Sequence, residues 1–196
     1  MNQDGVIEAL SPVIRVLDNL KTQYYIGGSV ASSVYGAFRA TRDVDIVSNL
    51  KEDDVGRFVE ALQGEYYIDQ EMIIDAIRRR ASFNIIHLKT MFKIDIFILK
   101  ERPFDQTALA RKRAETISEG SSLRLFLSSP EDIILHKLEW YKQGGFTSER
   151  QMEDIKNVLL VQAPHLDMAY IRKWASTLGV SEILENLLED IPEMKS

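Results

Sequence analysis

Hydrophobic positions along this chain follow two spacings in turn, and their order predicts an α/β fold. In residues 5–20, Val6, Leu10, Val13, Ile14 and Leu17 recur at helical spacing, and Pro12 predicts a break or kink. Tyr24-Tyr25-Ile26 is a short apolar strand, and Gly27-Gly28-Ser29 then opens a helix with apolar Val30, Ala31, Val34 and Phe38. Val44 and Ile46 alternate with Asp43 and Asp45 in a second strand. Val55, Phe58, Val59 and Leu62 form the next helical stripe, with acids from Glu52 to Asp54 in its first turn and Gly64 past its end. A short strand at Tyr66-Tyr67-Ile68 precedes a helix carrying Met72, Ile73, Ala76 and Ile77. Two strand-like runs, Phe83–Leu88 and Met91–Leu99, are joined by Lys89-Thr90 as a hairpin.

Beyond residue 100 the pattern weakens and then turns helical. Thr107–Glu115 reads as a cation-rich helix and Leu123–Leu127 as an apolar strand. Ser129-Pro130-Glu131-Asp132 is a strong helix start, with a capping serine, a first-turn proline and acids behind it. A further helix covers about 148–161, with Met152, Ile155, Val158 and Leu159 inward. Asp167 and Ser181 are set to cap two last helices, one with Tyr170, Ile171, Trp174 and Leu178 and one with Ile183, Leu184, Leu187 and Leu188. The predicted organisation is a mixed sheet with flanking helices over 1–100, a connecting segment over 101–128 and a helical part over 129–196, with the active cleft between sheet and helices.

Composition narrows the function classes. The 196 residues are 45% hydrophobic, enough for an ordinary core, and contain no cysteine, which excludes disulfides and thiolate metal sites. The N-terminus has acids at Asp4 and Glu8 rather than a basic and then apolar leader, and no apolar run reaches the roughly 20 residues of a membrane helix. A soluble, cytoplasmic protein without a membrane partner is expected. The net charge of −6 argues against a broad duplex-binding surface. Two local basic clusters, Arg78-Arg79-Arg80 and Arg111-Lys112-Arg113, are open to two readings: solvated helix faces, or walls of a polyanion path. His87 is expected to be a structural hydrogen-bonding residue.

The chemistry concentrates at Asp43 and Asp45. Residues two apart on a strand share a face, so both carboxylates lie opposite Val44 and Ile46. Two like charges there call for a cation, and oxygen-only ligands suit Mg²⁺; a solvated edge strand is the plain alternative. Gly27 and Gly28 lack a Cβ and allow a phosphate close to the backbone, while Ser29 either caps the helix or ligates phosphate. Asp95 is the one acid in the strand pattern Phe92–Leu99, where an unpaired carboxylate is costly to bury and a metal is a natural partner. Lys137 falls inside the apolar arc of Ile133, Ile134, Leu138, Trp140 and Tyr141. Its ammonium therefore either snorkels to water or reaches an anion in the cleft.

Gly-Gly-Ser, a helix, and then Arg39-Ala-Thr41-Arg42-Asp43-Val-Asp45 resembles the DNA polymerase beta-like nucleotidyltransferase superfamily, and most closely its AbiEii-type toxin branch with that branch's bacterial relatives. The resemblance is strong over residues 20–100 and looser in the C-terminal half. It implies a nucleotidyltransferase-like α/β core in which Asp95 is the third acid on a later strand. It also implies a lysine in the first C-terminal helix (Lys137) and an acid in the next (Asp154), although neighbouring charges make Asp154 equally open to ordinary salt-bridging. The implied reaction is transfer of a nucleoside monophosphate from an NTP. Asp43, Asp45 and Asp95 are the expected ligands of Mg²⁺ or Mn²⁺. Gly27, Gly28, Ser29, Arg39, Thr41, Arg42 and Asp154 are expected toward the nucleotide, and Arg39, Arg42 or Lys137 toward its charge. An RNA end such as that of a tRNA, or a protein hydroxyl, is the expected acceptor, and an antitoxin the expected protein partner. RNase chemistry is not expected, since the C-terminal half has no Arg-x₄₋₆-His spacing. The opposing readings are an inactive nucleotide- or partner-binding module on the same fold, and a phospho-acceptor domain.

Overall fold

The computed structural model describes residues 3–37, 41, 43–116 and 124–191. Helix α1 (Gln3–Asn19) leads to strand β1 (Tyr24–Ile26), helix α2 (Gly28–Val34) and strand β2 (Asp43–Ser48). Helix α3 (Val55–Leu62), strand β3 (Tyr66–Tyr67) and helix α4 (Gln70–Arg79) precede the hairpin of β4 (Ser82–His87) and β5 (Lys93–Ile98). Then come α5 (Pro103–Ala110), β6 (Arg113–Thr116) and β7 (Arg124–Leu127). Helices α6 (Pro130–Gln143), α7 (Glu149–Gln162), α8 (Met168–Leu178) and α9 (Ser181–Glu189) complete the described chain.

The strands form one mixed sheet in the order β3-β4-β5-β2-β1-β7-β6. Pairs β2·β5 and β1·β7 are parallel, and the other neighbours are antiparallel. Alternation decides the two faces. Val44, Ile46, Ile94, Ile96 and Ile85 are all fully buried and pack with Val13, Ile14 and Leu17 of α1 and Phe58 of α3. Each such side chain contributes about 1.5–3 kcal/mol by leaving water. The acids of β2 and β5 are thereby held on the opposite face.

Several local expectations change. Helix α1 continues through Pro12 without a break. The proline removes one N–H, while the stripe of Val6, Leu10, Val13, Ile14 and Leu17 stays buried on both sides of it and holds the helix against the sheet. Thr107–Glu115 is not one helix: α5 starts earlier, at Pro103, and Arg113–Thr116 is a strand paired antiparallel to β7. Helix periodicity failed there because β6 is a four-residue edge strand whose partner, not its own pattern, defines it. The segment 103–127 thus adds a helix and two strands to the sheet unit. Val34, one of the apolar positions of α2, is 55% exposed, and Phe38 lies outside the described residues. Ser29 sits inside the first turn of α2 rather than at its cap, and Ser181 is likewise the first residue of α9, with Val180 at the cap. Ser129 and Asp167 do cap α6 and α8, accepting the amides of Asp132 and Tyr170.

The chain divides into two compact units, Met1–Val30 with Ala40–Leu127, and Ala31–Arg39 with Ser128–Ser196. The second unit is helical, with Ile134, Leu138, Ile155, Leu159, Ile171 and Leu184 buried. Gly36 belongs to this unit because its backbone lies against Val161, where a Cβ would come within 2.5 Å of that side chain. No helix among the described residues is long and apolar enough to cross a membrane.

Candidate active site

Strands β2 and β5 run parallel in a register that sets Asp43 opposite Lys93 and Asp45 opposite Asp95. Neighbouring strands lie about 4.8 Å apart, so three carboxylates share one small patch of one sheet face. Thr41 is buried just before β2; its hydroxyl donates to the Asp43 carbonyl at 3.1 Å and accepts the Asp43 amide at 3.3 Å. That reciprocal pair fixes the backbone at the start of the strand, so Thr41 acts on the position of Asp43.

The glycine turn is tied to the same strand. The Gly27 amide donates to the Asp45 carbonyl at 2.9 Å. Gly28 has φ +54°, in the left-handed region, and a Cβ there would lie 1.7 Å from Asp45 Oδ2. Only glycine permits both the backbone conformation and this approach. The Asp45 carboxylate is therefore turned onto the Gly28 backbone. A Cβ on Gly27 would meet only the Tyr25 ring at 3.9 Å, so the two glycines are not equivalent.

Sequence reasoning missed Lys93. Its Nζ lies 2.7 Å from Asp95 Oδ2 and 3.8 Å from Asp43 Oδ1. The Asp95 hydrogen bond holds its pKa above the ordinary lysine value against the effect of burial, and the charges of Asp95, Asp43 and Asp45 act in the same upward direction. Asp95 is thus paired in this structure, contrary to its reading as an acid without a protein partner. The signal was present, because Lys93 is two residues before Asp95 and shares its face. Its place beside Asp43 needed the β2·β5 register.

Among the described residues no three His, Asp or Glu side chains converge as a metal-holding group. Lys93 lies against Asp43 and Asp95, and the Asp45 carboxylate lies on Gly28. The donor set nonetheless fits a hard divalent cation, since it is made of carboxylate oxygens alone and two of them already share a cationic group.

Lys137 and Asp154 meet in the helical unit. Lys137 Nζ donates to Asp154 Oδ2 at 2.8 Å and to Gln151 Oε1 at 3.0 Å. Lys137 is 2% exposed and Asp154 4%, so the lysine does not snorkel and the aspartate is no surface salt-bridging residue. Arg39 and Arg42 lie outside the described residues. A cavity of about 510 Å³, lined in part by Tyr141, Phe146, Met152 and Leu187, contains none of the predicted site residues.

Four residues of the two basic clusters are engaged with acids or rings. Arg78 pairs with Glu52, Arg79 with Asp75 and Arg80 with Glu101. Lys112 stacks its ammonium 4.4 Å from the centre of the Phe126 ring. His87 is buried with Nδ1 2.7 Å from the Thr90 hydroxyl, the structural role expected of it.

The chain superposes on an antigenic nucleotidyltransferase-like protein from Paracoccidioides brasiliensis with a TM-score of 0.67 at 18% identity, over 99% of this chain and 92% of that one. The chain has a nucleotidyltransferase-like fold. Two structures of ANT(2'')-Ia also resemble it. One is a solution structure of this antibiotic-resistance factor, with a TM-score of 0.52 at 14% identity over 90% of this chain and 96% of that one. The other is its complex with adenylyl-2''-tobramycin, with a TM-score of 0.53 at 11% identity over 88% and 95%. No family model and no curated protein sequence matches the chain.

Proposed function

We propose that this protein is a nucleotidyltransferase that moves a nucleoside monophosphate from an NTP to an acceptor hydroxyl, with pyrophosphate as the second product. The observation that carries this reading is the placement of Asp43, Asp45 and Asp95 on one face of two in-register parallel strands, beside a glycine turn tied to Asp45. The nucleotidyltransferase-like fold agrees with it.

In this reading the acceptor oxygen attacks the α-phosphorus and the bond from that phosphorus to the pyrophosphate oxygen breaks. Asp95 takes the proton leaving the acceptor hydroxyl. A divalent cation, Mg²⁺ or Mn²⁺, held by Asp43, Asp45 and Asp95, would supply charge neutralisation for the phosphates. Gly27 and Gly28 present backbone without side chains where a phosphate approaches, and Ser29 adds a hydroxyl. Thr41 keeps Asp43 in position. Arg39 and Arg42 are the cations this reading assigns to charge developing on the phosphates. Lys137 and Asp154 enter as a pair that positions α6 against α7.

Arg78, Arg79 and Arg80 each pair with an acid in solvent-exposed ion pairs, and an RNA end or a protein hydroxyl is the acceptor this reading carries forward. Incubation with Mg²⁺ and each labelled NTP, in the presence of total RNA, cellular protein and a panel of hydroxyl-bearing small molecules, tests acceptor and activity together. Label on RNA or protein supports the sequence-based expectation, and label on a small molecule supports an antibiotic-modifying type of activity. Absence of transfer, with nucleotide binding retained, supports the inactive-module reading. Binding itself is checked by melting: Mn²⁺ with an NTP should stabilise the wild-type protein by mass action. Asp43→Asn with Asp45→Asn should abolish that shift, and an unchanged shift places the metal elsewhere.

A further inference from the structure

We infer that Lys93 couples metal binding to nucleotide binding: its ammonium holds the cation position between Asp43 and Asp95 in the free protein, and passes to a phosphate of the nucleotide when a divalent cation arrives. This rests on the nucleotidyl-transfer reading and adds a residue to that site.

Three observations carry it. First, the position is built by the register, because Lys93 lies directly across from Asp43 and two residues before Asp95 on the same face. Its Nζ reaches Asp95 Oδ2 at 2.7 Å and Asp43 Oδ1 at 3.8 Å, the oxygens a divalent cation would need. Second, the ammonium can leave. The Lys93 side chain is 41% exposed, Asp43 52% and the nearer Asp95 21%, so release leaves each carboxylate in contact with solvent. A four-carbon stem lets the charge move while the backbone stays in the sheet. Third, Asp45 is turned onto Gly28 while Lys93 occupies the other two acids, so all three carboxylates are already engaged.

The electrostatics then set an order of binding. A bare divalent cation must displace a like-charged ammonium from the carboxylates, and afterwards sits beside it. A metal–nucleotide chelate brings phosphate oxygens that accept the displaced ammonium. The metal therefore binds more favourably with nucleotide than alone, and Lys93 is a source of that coupling.

The test is Mn²⁺ binding, read by the electron paramagnetic resonance signal of free Mn²⁺, on the full chain with and without a non-hydrolysable NTP analogue. Lys93→Met should bind Mn²⁺ alone roughly two- to fivefold more tightly than wild type, the scale of one partly exposed ion pair. With the analogue present, that advantage should vanish or invert. Lys93→Arg should behave as wild type. Lys51→Met, which removes an exposed charge at the far end of β2, should leave both affinities unchanged. If Lys93→Met does not fold by circular dichroism, Lys93→Gln takes its place. Equal or weaker Mn²⁺ binding by Lys93→Met, with wild type binding normally, overturns the role of the lysine alone. A gain that persists undiminished with the analogue overturns the handover to phosphate. Failure of every chain to bind Mn²⁺ under both conditions removes the metal site, and with it the reading on which this inference rests.

Discussion

Replacing Lys137 by Met keeps a long unbranched side chain in the apolar arc of α6 and removes only its charge. From the sequence, that change should alter stability by less than about 1.5 kcal/mol, the range of volume-conserving swaps. The structure predicts otherwise. Lys137 is 2% exposed and Asp154 4%, and they meet at 2.8 Å, so the variant removes a buried cation in direct contact with a buried carboxylate. Breaking a buried pair by removing one partner costs about 3–5 kcal/mol, because the remaining ion keeps its desolvation penalty and loses the attraction that offset it. Gln151 also loses its donor. For a chain of this size 1 kcal/mol corresponds to roughly 2–4 °C in Tm, so the expected fall is about 6–20 °C. Thermal unfolding followed by circular dichroism measures it. Lys137→Met combined with Asp154→Leu removes both charges and should recover most of the loss, since apolar replacements of buried pairs are often neutral or stabilising. Comparison of the two variants separates the pair from packing. A single variant within about 3 °C of wild type, or a double variant no better than the single, would refute the reasoning, the first because about 3 °C corresponds to roughly 1 kcal/mol rather than the ~3–5 kcal/mol of a broken buried pair.

Other predictions follow from the same geometry. Gly28→Ala places a Cβ on Asp45 Oδ2 at a positive φ, and should cost about 1–2 kcal/mol in urea unfolding while lowering transfer. Gly27→Ala, whose Cβ meets only Tyr25 at 3.9 Å, should stay within about 0.5 kcal/mol of wild type, and an equal effect at both glycines would contradict the assignment. Ser129→Ala removes the cap of α6 and should cost about 1 kcal/mol by the same assay. The Arg78 hydrogen bond, with its charge, holds the Glu52 carboxyl below its ordinary pKa of 4.5. A depressed carboxylate pKa gives stability that is present above the ordinary value and is lost as pH falls through the lower one. Arg78→Gln should therefore move the Glu52 carboxyl, followed by carbon-detected NMR, back up toward 4.5; no movement would show that the pair does not set it.

The local pattern was sufficient for most elements of the fold. Period-two alternation in 43–48 and 93–98 marked two strands with acids on one face, because a strand with one buried side leaves no freedom about which residues point away. Capping chemistry marked the starts of α6 and α8, since Ser129 and Asp167 act on amides three residues away. These signals are local, and so they are legible in a single sequence. What failed was decided by partners distant in the chain. Strand β6 is defined by its pairing with β7, and Gly36 joins the helical unit through Val161. Lys93 acquires its meaning from a β2·β5 register that no local periodicity specifies, and the burial of Asp154 from a lysine on another helix. The sequence alone determined which side chains could carry charge to the site; the tertiary structure decided which charges meet, because Coulombic and hydrogen-bonding partners are chosen by distance in space.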